Sequence, residues 1–510
     1  MKILSATQIK TVDQLTVERQ HISSTDLMER VAVLCTEEIE KRIPEQPEIL
    51  IFCGKGNNGG DGLAIARLLA GKDYTVTVII VHHSDHFSDD AQINFERLIQ
   101  QNKAELTEIS EENDFQKISV KEKMVVIDAL LGTGLNKPLK GLLEKAAEFI
   151  NENSHFTISI DVPSGVFTDE FTPDENTCVH ANLVLSLQML KLAYLFSCNS
   201  KNVPAFKIID IGLDQQAISE QETHHYFSEI KDIAPLLSPR SKFSHKGTYG
   251  HGLLMAGSHG TCGAALISAE ACLRSGAGLL TVHSTKNVID ALAFRLPEAM
   301  SSTDRNEAFI SDKTVIDKYR ALGFGPGTGT AEETADVLKY IIQNYQGKLI
   351  IDADGLNILS ENKTWLEFLP KETILTPHPK EFERLAGTFE NDFDRLQKAK
   401  LFAVRHQVIL VLKDAYTAIC LPDGSVVFNS TGNPGLAKGG SGDALTGIIL
   451  GLLTRGYSPA KAAICGVFIH GYAADLCSQE MSMESMLITD VIKLLPRAFR
   501  DMELKRAELG

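Results

Sequence analysis

The 510-residue sequence has a single tryptophan, no pair of cysteines spaced C-x-x-C and no histidine spacing suited to zinc. Its nine cysteines are scattered. Neither a structural zinc site nor a disulfide framework is expected, and the thiols read as those of a reduced, cytoplasmic protein. Positive charge is in deficit: 50 Lys and Arg stand against 66 Asp and Glu, a net charge of −16. Affinity for phosphate backbones comes from clustered Lys and Arg, so no nucleic-acid partner is expected. The opening MKILSATQIKTVDQL lacks the basic and apolar runs of a secretory signal. The uncharged stretch from Gly252 to Ala269 is broken up by Ser, His, Thr and glycines, a poor composition for spanning a bilayer, and no membrane association is expected.

What is present is ordinary for a globular chain, with 44% hydrophobic and 23% charged residues, and the length implies two or more domains. From about residue 48, short β-branched runs alternate with helical patterns: EILIFCG, LAIARLLAG, YTVTVIIV, KMVVIDALLG and FTISIDVPSG. Such alternation indicates βαβ units and a parallel sheet, an α/β fold. A polar stretch without clear period, AISEQETHHYFSEI, places a domain boundary near residues 214–240. The same logic resumes with GHGLLMAGS, GLLTVHS, ALGFGPG, KLIIDADGLN, ETILTPHP and VILVLKDAYTAI.

In the first half, Gly54-Lys55-Gly56-Asn57-Asn58-Gly59-Gly60-Asp61-Gly62 lies between a predicted strand and a predicted helix. Glycines there let backbone N–H groups approach an anion at a helix N-terminus. Gly54, Gly56 and Gly59 also satisfy the dinucleotide-binding spacing. However, His82 and His83 follow the next strand, where that motif needs an acidic residue, which disfavours a nicotinamide dehydrogenase. Asp128 and Asp161 each follow a predicted strand, and the loops Gly132–Pro138 and Pro163-Ser164-Gly165 lie beside them. An aspartate after a strand often only caps the next turn. Three polar loops at the carboxyl ends of parallel strands favour a binding site, and Asn58, Asp128 and Ser164 offer oxygen ligands for a hard cation. The run His82 to Asp90 is dense in metal-capable residues but reads as a solvated loop leading into a helix near Asp89 or Asp90, and His224-His225 reads as linker.

GNNGGDG, VIDALLGTGL, ISIDVPSG and the early ISSTDLMERVA occur in order, and residues 1–215 resemble the NAD(P)HX epimerase (YjeF N-terminal) domain. The resemblance implies a Rossmann-like α/β/α domain that interconverts the R and S forms of hydrated NAD(P)H. It implies substrate contacts from Asn57, Asn58, Gly59, Gly60 and Asp61 and from Gly132, Thr133, Gly134, Leu135, Asn136, Lys137 and Pro138. It also implies potassium (K+) bound by Asn58, Asp128 and Ser164, and Asp161 as catalytic and substrate-binding residue. Reversible loss of the substrate hydroxyl needs a positioned acid/base group, which suits Asp161. Where the family often has a Lys followed closely by Gly after a strand, Lys191 is followed by Leu-Ala-Tyr, so Lys191 is not counted in the site.

In the second half, Asn433-Pro434-Gly435-Leu436-Ala437-Lys438-Gly439-Gly440-Ser441-Gly442-Asp443 leads into an apolar helix. Consecutive glycines there present unencumbered N–H donors to a phosphoryl group, and an Asp at the end of the loop can accept a proton from an attacking hydroxyl. It is not a Walker A sequence, and the alternative is a glycine turn capped by Asp443. Together with Gly323-Phe324-Gly325-Pro326-Gly327, IDADGLN, Leu375-Thr376-Pro377-His378-Pro379 and LKDAYT, it makes residues 225–505 resemble the ADP/ATP-dependent NAD(P)HX dehydratase domain, a ribokinase-like α/β/α fold. The resemblance implies Asp443 as catalytic base and Gly440 and Gly442 in the anion hole. Lys413, Asp414, Ala415, Tyr416, Thr417, Gly440 and Gly442 would contact ADP or ATP with Mg2+. Ala264, Gly325, Gly327, His378 and Asp443 would line the NADHX or NADPHX pocket. His378, between two prolines, has a rigid turn as its alternative.

The expectation is a cytoplasmic, homo-oligomeric, bifunctional repair enzyme whose small-molecule partners are NADHX, NADPHX and ADP or ATP. Its rival is a vitamin or sugar kinase fused to a non-catalytic binding domain.

Overall fold

The structure, a computed structural model, describes residues 1–43, 47–121 and 123–509. The chain divides into two compact units: Lys2–Thr223 with Asn391–Phe393, and His224–Glu390 with Asp394–Gly510 and Met1. The division falls inside the segment read as a boundary. That segment is not bare linker, since it carries a helix, Gln215–Glu220, and a strand, β8 (His225–Phe227). A three-residue edge strand is too short to impose a hydropathy period. It exists here because its backbone pairs in parallel with a later strand, His225 opposite Val426.

The first unit is built on seven strands: β1 (Ile49–Cys53), β2 (Val76–Val81), β3 (Glu105–Ile109), β4 (Val125–Ala129), β5 (Thr157–Ile160), β6 (Leu183–Leu187) and β7 (Phe206–Ile209). All pair in parallel in the order β3-β2-β1-β4-β5-β6-β7. Every residue of β1 and β4 is buried, as expected of central strands covered on both faces. Strand order reverses direction between β1 and β4, and open α/β sheets bind ligands outside the carboxyl ends of their strands at such a point. The glycine loop Gly54–Gly62 follows β1 and the Asp128–Pro138 segment follows β4. Gly54 and Gly59 are there for close packing: a Cβ on Gly59 would lie 1.9 Å from the Gly54 carbonyl oxygen, and one on Gly54 would lie 2.1 Å from that of Leu130.

The second unit continues with β9 (His251–Met255), β10 (Leu279–Ser284), β11 (Met300–Thr303), β12 (Ala321–Phe324), β13 (Lys348–Ile351), β14 (Ile374–Leu375), β15 (Ile409–Leu412), β16 (Ala418–Cys420) and β17 (Val426–Phe428). The sheet runs β11-β10-β9-β12-β13-β14-β15-β16-β17-β8 and is parallel from β11 to β15. Strands β16 and β17 add an antiparallel edge. The switch point lies between β9 and β12, where the Gly257 N–H donates to the Pro326 carbonyl at 2.8 Å.

The apolar helix Ser441–Arg455 packs on the helix Cys262–Arg274 through glycines on its inner face. Added Cβ atoms at Gly447 and Gly451 would lie 2.2 Å from the Ser268 carbonyl oxygen and 2.5 Å from that of Cys272. The Ser268 hydroxyl donates to the Asp443 carbonyl at 2.9 Å, so this close approach also positions the start of the helix. Gly447→Ala is expected to destabilise the second unit by about 1–3 kcal/mol through overpacking, measurable by urea unfolding.

Candidate active sites

In the first unit a cavity of about 930 Å³ opens at the switch point. Its walls include Asn57, Asn58 and Asp61 from the first turn of the helix Asn57–Gly71, Gly132 to Asn136 from the loop after β4, and Asp161 from the end of β5. Of the residues expected in the site, Gly59 and Gly60 are buried in that first turn, Gly60 packed within 2.8 Å of the Met28 sulfur if given a Cβ. Lys137 and Pro138 lie exposed just beyond Asn136 and are not among the residues lining the cavity.

Asp161 has a left-handed backbone, φ 64°, a conformation rare for a residue with a side chain and typical of functional positions. The strain is held by three contacts. The Tyr194 hydroxyl donates to its carbonyl, and the Leu187 N–H to its Oδ1 at 3.2 Å. The Lys191 ammonium, 1% exposed, lies 2.5 Å from the same oxygen. Lys191, set aside on the sequence, is therefore the counter-ion of Asp161. The available signal was a lone lysine inside the apolar run LVLSLQMLKLAYLF, since a buried ammonium requires an anion.

Asp13, on the helix Ala6–Gln20, also lines the cavity, and burial with the nearby Asp161 charge pushes it up to about 6, against an opposing pull from Lys191. Burial, reinforced by Asp161, Asp13 and Asp90, holds Asp61 well above the carboxylate range. Asp90 lines the cavity too and accepts a hydrogen bond from Thr25 at 2.5 Å. It belongs to the run read as a solvated loop, from which Asp89 and Asp90 do start the helix Asp89–Gln101.

Asn58, Asp128 and Ser164 come together around the loop after β4. Buried Asp128 accepts from Ser159 Oγ at 2.8 Å, from Ser164 N at 2.9 Å and from Ser164 Oγ at 2.6 Å. Burial still raises its pKa, with the serine bonds opposing. The Leu131 N–H donates to Ser164 Oγ at 3.0 Å, and Asn58 packs against Gly132. Both polar atoms of the Asn58 amide are buried without a partner. A cation on that orphaned oxygen, beside a buried carboxylate, fits this donor set.

In the second unit the loop Asn433–Gly442 is tied down at several points. Asp475 accepts from Gly432 N at 2.9 Å and Asn433 Nδ2 at 3.0 Å, and Lys438 Nζ donates to the carbonyls of Met483, Glu484 and Met486. Gly440 caps the helix Ser441–Arg455 with φ 94°, which a residue with a Cβ adopts only under strain. The first-turn N–H groups lack intrahelical acceptors by geometry and carry the positive end of the macrodipole. Asp443 sits at this end, pushed up to about 6 by burial and by Asp352, with Lys413 opposing and Asp354 adding.

Behind it lies an ionic cluster. Asp352 binds Lys413 Nζ at 3.0 Å through Oδ1 and accepts from Thr446 Oγ1 at 2.8 Å through Oδ2. Glu381 lies 3.8 Å from the same ammonium. Burial works against the Lys413 charge, yet Asp352, Glu381 and Asp443 hold its pKa above the ordinary value. A Cβ on Gly442 would lie 3.3 Å from Lys413 Nζ and 3.5 Å from Asp352 Oδ2, so the glycine loop, Lys413 and Asp352 share one locus. Asp414 to Thr417 form the turn between β15 and β16, with Arg395 bound to Asp414 at 2.5 Å.

Gly327 and Ala264 meet: a Cβ on Gly327 would lie 3.0 Å from that of Ala264. Gly325, φ 124°, lies against the Asp352 carbonyl, where a Cβ would come within 1.9 Å. His378 caps the helix Pro379–Ala386, its Nδ1 accepting from Lys380 N at 3.1 Å and Glu381 N at 3.3 Å. Its side chain is 45% exposed beside Glu381. The rigid turn weighed as its alternative is present at this residue. Asp352, Glu381 and Thr446 were not anticipated, since nothing in the sequence shows which strand-end carboxylates face one lysine.

Both halves match family models: residues 24–193 match the YjeF-related protein N-terminus, and residues 252–497 match NAD(P)H-hydrate dehydratase. The chain is 33% identical to the bifunctional NAD(P)H-hydrate repair enzyme Nnr of Moorella thermoacetica, over 99% of this chain and 97% of that one. It is also 33% identical to the corresponding Coxiella burnetii protein, over 95% and 96%. A ribokinase-like superfamily protein from Enterococcus faecalis superposes on 55% of this chain and 98% of its own, with TM-score 0.50 and 28% identity. The chain belongs to the bifunctional NAD(P)H-hydrate repair enzyme family. Because the likeness spans both units, a lone sugar or vitamin kinase with a non-catalytic appendage is set aside.

Replacing Lys191 with Met leaves the Asp161 carboxylate uncompensated and is expected to destabilise the first unit by about 3–5 kcal/mol, as for other broken buried pairs. The double variant Lys191→Met/Asp161→Asn recovers most of that loss. Urea unfolding followed by circular dichroism checks both outcomes.

Proposed function

We infer that this chain repairs hydrated NADH and NADPH. Its first unit epimerises R- and S-NAD(P)HX, and its second dehydrates the S form at the expense of ADP or ATP. The observation that carries the reading is Asp443 at the glycine-lined helix start beside the Lys413–Asp352 pair.

In the dehydratase, Asp443 accepts the proton of the substrate hydroxyl as its oxygen attacks the terminal phosphoryl group of the nucleotide. The Gly440–Gly442 amides and the helix dipole stabilise the charge on that group, and Lys413 sits beside them. Phosphate then departs from the ring with the bonding electrons, pushed by the ring nitrogen, and loss of a proton from the neighbouring carbon restores the double bond. The turn Lys413 to Thr417 holds the nucleotide, while Ala264, Gly325, Gly327 and His378 line the hydrate pocket. Mg2+ would accompany the nucleotide and would offset the charge on its phosphates. Among the described residues no three His, Cys, Asp or Glu side chains converge as a cage, and Mg2+ commonly relies on phosphate oxygens and water.

In the epimerase, Asp161 exchanges a proton at the substrate hydroxyl, with Lys191 holding it in place. The loops Asn57–Asp61 and Gly132–Pro138 bind the substrate. K+ held by Asn58, Asp128 and Ser164 would fix the loop after β4 and offset the buried Asp128 charge. The cytoplasm, where the cofactors are used, is the proposed compartment, and a homo-oligomer the proposed state.

A mixture of R- and S-NADHX incubated with the protein, Mg2+, K+ and one nucleotide should return the full near-ultraviolet NADH band. Return of only the S fraction removes the epimerase assignment, and a stable phosphorylated product without the band removes the dehydratase. Asp443→Asn is expected to lower dehydration ~10²–10⁴-fold while epimerisation continues. Because Asp443 must be ionised to accept a proton, wild-type dehydration should fall as pH drops through about 6, an acid limb visible in a pH–rate profile.

A further inference from the structure

A carbon that loses its hydroxyl and regains one on the other face needs two proton-transfer groups. One delivers a proton to the departing oxygen, and the other removes a proton from the incoming water. Asp161 is suited to the second role because its carboxylate is ion-paired with the buried Lys191 ammonium, which fixes it at the end of β5. The first requires a carboxyl that keeps its proton and reaches the same space.

The helix Ala6–Gln20 forms one wall of the cavity, presenting Lys10, Asp13, Gln14 and Val17 on a single face. Among the described residues, no hydrogen bond or ion pair satisfies the Asp13 carboxyl. It is a different wall from the strand end that carries Asp161, yet near enough for the two carboxylates to repel.

We propose that Asp13 is a second catalytic residue of the epimerase, the acid that protonates the departing hydroxyl while Asp161 takes the proton of the water that replaces it. The proposal rests on the reading of this cavity as the epimerase site. The C–O bond breaks with its electron pair going to oxygen, which takes the Asp13 proton and leaves as water. The lone pair of the ring nitrogen forms the C=N bond of an iminium ion. Water adds to the opposite face, the π pair returns to nitrogen, and Asp161 accepts the surplus proton. The two carboxyls end with their protonation exchanged, which is the state competent for the reverse epimer or is reset by solvent.

The charge environment supports this division. The titratable groups on the other walls are Asp61, Asp90, Asp161, Asp169 and Glu170, with Lys10 on the same helix and Lys191 behind Asp161. Carboxylates dominate, and the buried Lys191 ammonium is already committed to Asp161, so Asp13 is pushed up to about 6.

The test is epimerisation of S-NADHX by the full chain without nucleotide, resolved by chromatography, in wild type, Asp13→Asn and Asp13→Glu. Asp13→Asn should lower kcat ~10²–10⁴-fold with KM changed less than ~3-fold, and Asp13→Glu should restore part of the rate. Wild-type kcat should fall as pH rises through about 6, as the acid loses its proton, and Asp13→Asn should lack that limb. In water labelled with heavy oxygen, each wild-type inversion should incorporate label. Wild type that epimerises alongside an equally active Asp13→Asn, an alkaline limb that survives the substitution, or inversion without label would each overturn the proposal. A wild type that does not epimerise would instead overturn the reading of the cavity. Unchanged circular dichroism in Asp13→Asn separates lost catalysis from lost fold.

Discussion

Each unit depends on one ammonium bound to a carboxylate at the carboxyl end of a parallel sheet: the buried Lys191 with Asp161, and the partly buried Lys413 with Asp352. Parallel strands bring every following loop to one edge, so acidic residues that end strands collect there out of water. Several carboxylates in a low-dielectric cleft repel one another, and the cleft closes only if most keep their protons or a cation offsets them. A single lysine per site does the latter for the carboxylates it touches, while burial and the remaining charges push Asp13, Asp61 and Asp443 up. The consequence is a division of labour: a fixed charge beside groups such as Asp13 and Asp443 that titrate near 6.

Glycine governs the other half of each site. At Gly440 a positive φ turns the chain into a helix whose first amides carry the positive end of its dipole, and at Gly447 the missing side chain lets that helix lie on its neighbour. Packing and the placement of Asp443 are coupled here, because the contact that admits Gly447 also carries the Ser268 bond to the Asp443 carbonyl. A packing defect one turn into the helix would therefore be felt at Asp443.

Much of this was legible in the linear chain. The β-branched runs become β1, β2, β4 and β5 and then β9, β10 and β12 to β15, because central parallel strands must be apolar on both faces. The short strands β8, β11 and β17 at the two ends of the second sheet were not legible, since their pairing is supplied by backbone and not by side-chain pattern. The glycine loops and the strand-end aspartates stood out because their chemistry is local. Lys191 did not, because its meaning depends on a carboxylate thirty residues earlier. Asp13 sits on a largely polar helix where one more acidic residue carries no signal.

By itself the sequence determined the α/β class, the glycine loops at strand–helix junctions and the family, all of which rest on residue type and spacing within short segments. Only the tertiary structure decided which charges meet. It set Lys191 against Asp161, Lys413 against Asp352 and Glu381, and turned Asp13 into the first cavity. The reason is physical: propensity and glycine geometry act over a few residues, whereas desolvation and Coulomb energy depend on distances that exist only once the sheet is assembled.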